Sequence, residues 1–272
     1  MTRSARAVYQ GEAIAELCSE AARSGPLPGK VVGNFAGGFY VRIDDSIFAV
    51  VGPRIWPGPI HLVLDSNPPP VVDGAAVYLD PRRLTFSEGT IDIASASVYV
   101  PRTPPARELG IAAPWMTFWA AAEQRPNDLG ATWHDVQAAT ENGDLEGAAA
   151  VLEGRGTGLT PSGDDALAGL LLFYHWTGWR PARLTAIATR ARTTDLSRNF
   201  LRWAARGQSI APVHMLFSDS GDALCPSAPQ RRGEFEQAAH IVRGIGHCSG
   251  AALLAGLGLA AAAWKSDGSD DS

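Results

Sequence analysis

Twelve consecutive residues, Gly154-Arg155-Gly156-Thr157-Gly158-Leu159-Thr160-Pro161-Ser162-Gly163-Asp164-Asp165, combine glycines, hydroxyls, an arginine and two adjacent carboxylates. Glycines at 154, 156, 158 and 163 let bare backbone approach a ligand closely. The stretch ends in helix-start chemistry. Either Thr160 caps with Pro161 at the first helical position, or Ser162 caps with Asp165 three residues on. The residues that follow, Ala166 to Phe173, are almost wholly apolar and predict a central helix. A glycine loop feeding a helix gathers free N–H groups at a positive dipole end, which suits an anion. Two carboxylates there repel an anion unless a cation bridges them or one is protonated; Mg²⁺ on Asp164 and Asp165 would resolve the conflict. The candidate substrate-binding set is Arg155, Gly156, Thr157, Gly158, Thr160, Ser162, Gly163 and Asp165. Asp164 is the candidate catalytic carboxylate: with Ser162 as cap, Asp165 has a structural duty and Asp164 has none. The stretch is no Walker loop, since it holds no lysine, and its glycine spacing does not fit a dinucleotide fingerprint.

A second run, Gly244-Ile245-Gly246-His247-Cys248-Ser249-Gly250, repeats this arrangement: glycines, a polar cluster, a serine able to cap, then an apolar helix. The two loops can face one pocket, with His247 as general base and Ser249 in contact with substrate or capping its helix. His247 and Cys248 are neighbours in sequence, which argues against a Cys–His nucleophile. A third junction, Thr193-Thr194-Asp195-Leu196-Ser197-Arg198, carries Arg198 one helical turn from Arg202, a possible fork for carboxylate or phosphate. His214 and His240 have no metal-ligand spacing with the cysteines, so no structural zinc is expected.

These motifs need elements to hold them. The 272 residues suffice for one large or two modest domains with a real core. A helix over 12–23 precedes short β-rich runs at 31–35, 39–43, 47–51, 60–64, 75–79, 83–86, 90–93 and 97–100, separated by turn residues and prolines. Close spacing predicts a small antiparallel barrel or sandwich. A proline-rich seam at 101–106 marks a boundary. Helices follow at 111–123, 133–141, 145–153, 164–176, 183–192, 195–206, 232–244 and 249–264, with Trp115, Trp119 and Trp203 as packing anchors. The fold class is therefore α+β: a β-rich domain over 1–104, a helical domain over 105–264 carrying the site, and a disordered tail over 265–272. No internal repeat of fixed period is evident.

A net charge of −5 argues against a nucleic-acid partner. No apolar run reaches membrane length and no signal peptide is evident. Cys18, Cys225 and Cys248 are odd in number and far apart, so no disulfide and a cytoplasmic location are expected.

The run from Gly156 to Asp165, continued by Leu167 and Gly169, resembles the signature of a bacterial family that includes the AllH-type subunit of oxamate carbamoyltransferase, from anaerobic allantoin breakdown. Residues 246–250 resemble its second motif and 194–197 an intervening one; the resemblance covers roughly 111–264. It implies carbamoyl transfer between a ureido acid, oxalurate, and phosphate, giving carbamoyl phosphate and oxamate, with FdrA-like and AllG-like partner subunits. It also implies an acidic residue near Ala251 or Ala252, where this sequence has alanine at both. The leading expectation is a carbamoyltransferase subunit or homologue binding a small anionic metabolite. The alternatives are a non-catalytic scaffold or ligand-binding subunit, and a stand-alone Mg²⁺-dependent enzyme acting on a small phosphorylated metabolite. The lost acid favours the scaffold, and the Asp164-Asp165 pair an active site.

Overall fold

The computed structural model describes residues 3–87, 89–123, 129–217 and 228–264; the tail expected over 265–272 lies outside them. The chain forms two compact units, Met1–Pro101 and Arg102–Ser272. The fold is α+β, a β-barrel unit followed by a mostly helical one.

The first unit holds strands β1 (Arg3–Gly11), β2 (Leu27–Phe35), β3 (Gly38–Ile43), β4 (Ser46–Val51), β5 (His61–Leu64), β6 (Ala76–Asp80), β7 (Arg83–Phe86), β8 (Gly89–Asp92) and β9 (Ser97–Tyr99), with helix α1 (Glu12–Ser24). The strand order is β5-β4-β3-β2-β6-β7-β8-β1-β9, and a further β1–β5 pairing closes eight strands into a barrel with β9 on its rim. Every strand expected from turn chemistry is present. The barrel is nevertheless not all antiparallel. β4 runs parallel to β5, and β1 runs parallel to β8 and β9. The proline-rich 52–60 connection crosses over instead of making a hairpin, which produces the first parallel pair.

Strand β1 carries no expectation from the sequence, yet it closes the barrel. Its first half pairs with β8 (Ala5 opposite Ile91) and its second with β5 (Tyr9 opposite Val63). Gly11 ends it where a Cβ would stand 2.2 Å from the Pro59 carbonyl oxygen. Alternation fills the core: Phe39, Val41 and Ile43 of β3, Val77 and Leu79 of β6, and Leu84 and Phe86 of β7 are all buried. Helix α1 buries Ile14, Leu17 and Cys18, and burial pushes the Cys18 thiol up to about 11, so it stays protonated.

The second unit holds α2 (Ala106–Glu123), α3 (Thr132–Glu141), α4 (Leu145–Leu152), α5 (Ser162–Trp176), α6 (Pro181–Arg190), α7 (Asp195–Ala204), α8 (Ala211–Met215), α9 (Ala228–Arg243) and α10 (Ser249–Ala263). Helices α5 and α10 are apolar nearly all round and buried along most of their length. Helix α10 packs on both α5 and α2; a Cβ at Gly258 would stand 2.6 Å from the Met116 carbonyl oxygen, so that crossing requires glycine. Among the described residues no helix is long and apolar enough to cross a membrane.

Candidate functional site

Helices α5 and α10 start side by side. Ser162 Oγ lies 3.1 Å from Cys248 Sγ, and Thr160 Oγ1 lies 3.5 Å from Ser249 Oγ. The two glycine motifs, 86 or more residues apart in sequence, therefore meet. Neither serine caps its helix, contrary to expectation. Pro161 is the N-cap of α5, and its carbonyl accepts from Asp164 N at 2.9 Å and Asp165 N at 3.1 Å. Cys248 holds that position for α10, again with no side-chain cap. Proline supplies the turn by its fixed φ, which leaves the Thr160, Ser162 and Ser249 hydroxyls to face the opposite motif.

The two starts share one pattern. Ser-Gly-x-x-x-Leu-Ala-Gly-Leu occupies 162–170 and again 249–257. Gly163 N donates to the Arg155 carbonyl at 2.8 Å and Gly250 N to that of Ile245 at 3.1 Å. A Cβ on Gly163 would stand 2.1 Å from the Leu152 carbonyl oxygen, and one on Gly250 1.8 Å from that of Val242. Two turns on, the relation becomes reciprocal. A Cβ on Gly169 would stand 2.2 Å from the Leu253 oxygen, and one on Gly256 1.9 Å from the Ala166 oxygen. Each oxygen lies three residues before the partner glycine, so α5 and α10 are related by a local pseudo-two-fold and run in the same direction. They differ in charge: Asp164 and Asp165 of α5 correspond to Ala251 and Ala252 of α10.

Two parallel helices with adjacent N-termini place their positive dipole ends together. The α5 carboxylates in the first turn offset this field. Asp164 is only 2 % exposed. Its Oδ1 accepts from Gly154 N at 2.8 Å, its Oδ2 from Thr193 Oγ1, and Ser197 also hydrogen-bonds it. Burial raises its pKa and the nearby Glu153 carboxylate adds to this, while the three hydrogen bonds pull it back. The expectation that Asp164 has no structural duty is thus overturned. Asp165, half-buried, follows it in the first turn.

The third motif joins the other two. Thr194 caps α7, its Oγ1 accepting from Ser197 N at 3.0 Å, as its type and place suggest. The same hydroxyl donates to the Leu159 carbonyl at 2.6 Å, and Ser197 Oγ donates to it at 3.2 Å. Both arginines singled out in the sequence turn to backbone. Arg155 Nε donates to the Val151 carbonyl at 2.5 Å. Arg198 donates to the Ala191 and Thr193 carbonyls and pairs with Asp195 at 3.0 Å, closing the end of α6. Gly156, Thr157 and Gly158 are exposed, with φ of +112° at Gly156 and +90° at Gly158; His247, on the second loop, is also exposed. Thr193, Ser197 and the Glu153–Arg192 pair were not anticipated as site partners; the hydroxyl run Thr193-Thr194 was the available signal.

Among the described residues no group of three or more His, Cys, Asp or Glu side chains could hold a metal ion. Cys18 and Cys248 are free thiols; Cys225 lies outside the described residues. Two open hollows in this unit lie elsewhere, one lined by Glu108, Trp115, Phe217 and Phe235, the other by Trp115, Phe118, Trp119, Arg232 and Glu236; neither touches the glycine motifs.

No solved structure matches the chain. Residues 152–261, from the last residue of α4 to near the end of α10, match the family model described as oxamate carbamoyltransferase subunit AllH. This span contains all three motif segments, and over it the chain is similar to that family.

Proposed function

We propose that this chain is a subunit of a carbamoyltransferase acting on a small ureido or carbamoyl acid, and that its ligand sits at the joined N-termini of α5 and α10. The observation that carries this reading is the meeting of the two glycine motifs, Ser162 against Cys248 and Thr160 against Ser249, inside the span that matches the family. In the proposed reaction the carbamoyl carbon leaves a ureido nitrogen and bonds a phosphate oxygen. The released amide nitrogen gains a proton. Backbone N–H groups of Gly156, Thr157 and Gly158 and the Thr160 and Ser249 hydroxyls are the donors available for an anion or developing oxyanion. His247, exposed two residues before Ser249, is the residue proposed to move the proton. Partner subunits of the FdrA-like and AllG-like kinds, and a cytoplasmic setting, belong to the same proposal.

A second reading, a ligand-binding or scaffold subunit without catalysis of its own, is favoured by the side chains. Asp164 is buried and hydrogen-bonded, and Arg155 and Arg198 are turned to backbone carbonyls. The Mg²⁺ alternative fits less well, because a cation on Asp164 would have to displace the Gly154 and Thr193 hydrogen bonds. Titration calorimetry with phosphate, carbamoyl phosphate and oxalurate, with and without Mg²⁺, separates these. Binding at millimolar concentration or tighter, weakened by Gly158→Val, supports the placement. Binding unchanged in both Gly158→Val and His247→Ala would put the ligand elsewhere. Absence of binding would favour the scaffold.

A further inference from the structure

We propose that Asp164 is a positioning residue: its buried carboxylate latches the glycine loop to the turn before α7, so that the three motif segments hold one arrangement. This rests on the reading of that loop as the ligand site, although the latch itself can be measured without any ligand. The loop is tied at both ends to the 191–197 segment. At one end Asp164 joins Gly154 N to Thr193 Oγ1, while Glu153 accepts from Arg192 N at 2.9 Å and Arg192 Nε at 2.6 Å. At the other end the Leu159 carbonyl accepts from Thr194 and Ser197. Gly154 is required at the first anchor: its φ is +69°, and a Cβ there would stand 2.6 Å from the Arg192 carbonyl oxygen. Between the anchors Arg155 to Leu159 are exposed, and nothing lies within 4 Å of where a Cβ on Gly158 would be. Arg155 is itself tied, its carbonyl to Gly163 N and its Nε to the Val151 carbonyl, and Gly156 to Gly158 lie between these ties.

The chemistry of the carboxylate separates a latch from a reacting acid. A buried carboxylate is tolerated only when donors satisfy its oxygens, as Gly154 and Thr193 do here. An asparagine can keep both ties: its Oδ1 accepts from Gly154 N, and its amide donates to Thr193 Oγ1, which then accepts. An acid–base group or metal ligand would tolerate asparagine no better than alanine. A latch tolerates asparagine and fails with alanine, and it fails equally when Thr193 loses its hydroxyl.

The test uses the full-length chain and its Asp164→Asn, Asp164→Ala and Thr193→Val variants. Trypsin cleavage after Arg155, in the exposed span, is followed by mass spectrometry as a measure of loop release; carbamoyl phosphate is the binding probe. Asp164→Asn should cleave and bind within about threefold of wild type, whereas Asp164→Ala and Thr193→Val should cleave about tenfold faster, in proportion to the open population. If Asp164→Ala fails to fold, Thr193→Val carries the test alone. Asparagine behaving like alanine, or Thr193→Val cleaving like wild type, overturns the latch. Failure of wild type to bind carbamoyl phosphate counts against the functional reading alone, because cleavage is read without ligand.

Discussion

His214 shows how one side chain ties the helical unit to pH. It is 9 % exposed, accepts from Ser209 N through Nε2 at 3.1 Å, and faces the Arg102 carbonyl through Nδ1 at 3.3 Å. That pairing needs the neutral ring with its proton on Nδ1. Burial pushes the pKa down to about 4, against the opposing pull of the Arg102 carbonyl. Between the unfolded value near 6.5 and the folded value near 4, the unfolded chain binds the proton and the native chain does not. Stability therefore falls as pH drops through that window, by at most on the order of 3 kcal/mol. Asp164 runs the other way: its raised pKa means the native state holds its proton longer, so its contribution declines as pH rises above the unfolded carboxylate range. Urea midpoints at pH 7 and pH 5 should show a loss in wild type that shrinks in His214→Gln, with Asp164 common to both. An equal loss in the two proteins would mean that another group titrates. At this scale the sequence singled out Asp164 but gave no sign of the hydrogen bonds that give it a structural duty. Its partners Thr193 and Ser197 lie 29 or more residues away, and no local spacing announces a contact made only by folding.

At the scale of elements, the α5–α10 pair depends on two glycines that no side chain can replace. Gly256 admits the Ala166 carbonyl, and Gly169 admits that of Leu253. Gly256→Ala would put a methyl 1.9 Å from a backbone oxygen, so the helices must part. A cost of about 2–3 kcal/mol is expected from such overpacking, which lowers Tm by about 5–10 °C in a chain of this size. Gly244→Ala is the control, since its Cβ would meet nothing nearer than 3.5 Å. Thermal melts of the two variants check this, and equal Tm values would refute the close-crossing account. Helix and strand periods were legible because hydrophobic pattern and turn residues are local. β1 was not, because Arg3–Gly11 carries little apolar alternation and abuts α1 with no turn between them; pairing with β5, β8 and β9 makes it a strand. α8 was missed because five residues with a proline at the start give too short a pattern to read. The capping expectations at Ser162 and Ser249 failed for a tertiary reason: each hydroxyl has a partner on the opposite loop.

At the scale of the molecule, the three motif segments and the span that matches the family all fall in the second unit. Each unit has its own means of closure. The first completes its hydrogen bonding by joining β1 to β5, which leaves few open strand edges. The second gathers a hydrophobic cluster running from Leu109 to Ala261, with α5 and α10 at its middle. Chains with two such cores need not unfold in one step. Differential scanning calorimetry of the full chain should resolve two transitions. Gly256→Ala should move only the transition of the helical unit. Leu79→Ala, which empties a fully buried position in the barrel and costs about 2–5 kcal/mol, should move only the other. A fragment of residues 102–272 should then melt at the helical unit's temperature and retain any binding of carbamoyl phosphate seen in the full chain. A single transition shifted as a whole by both substitutions would show one cooperative body and refute the account of two separately melting units.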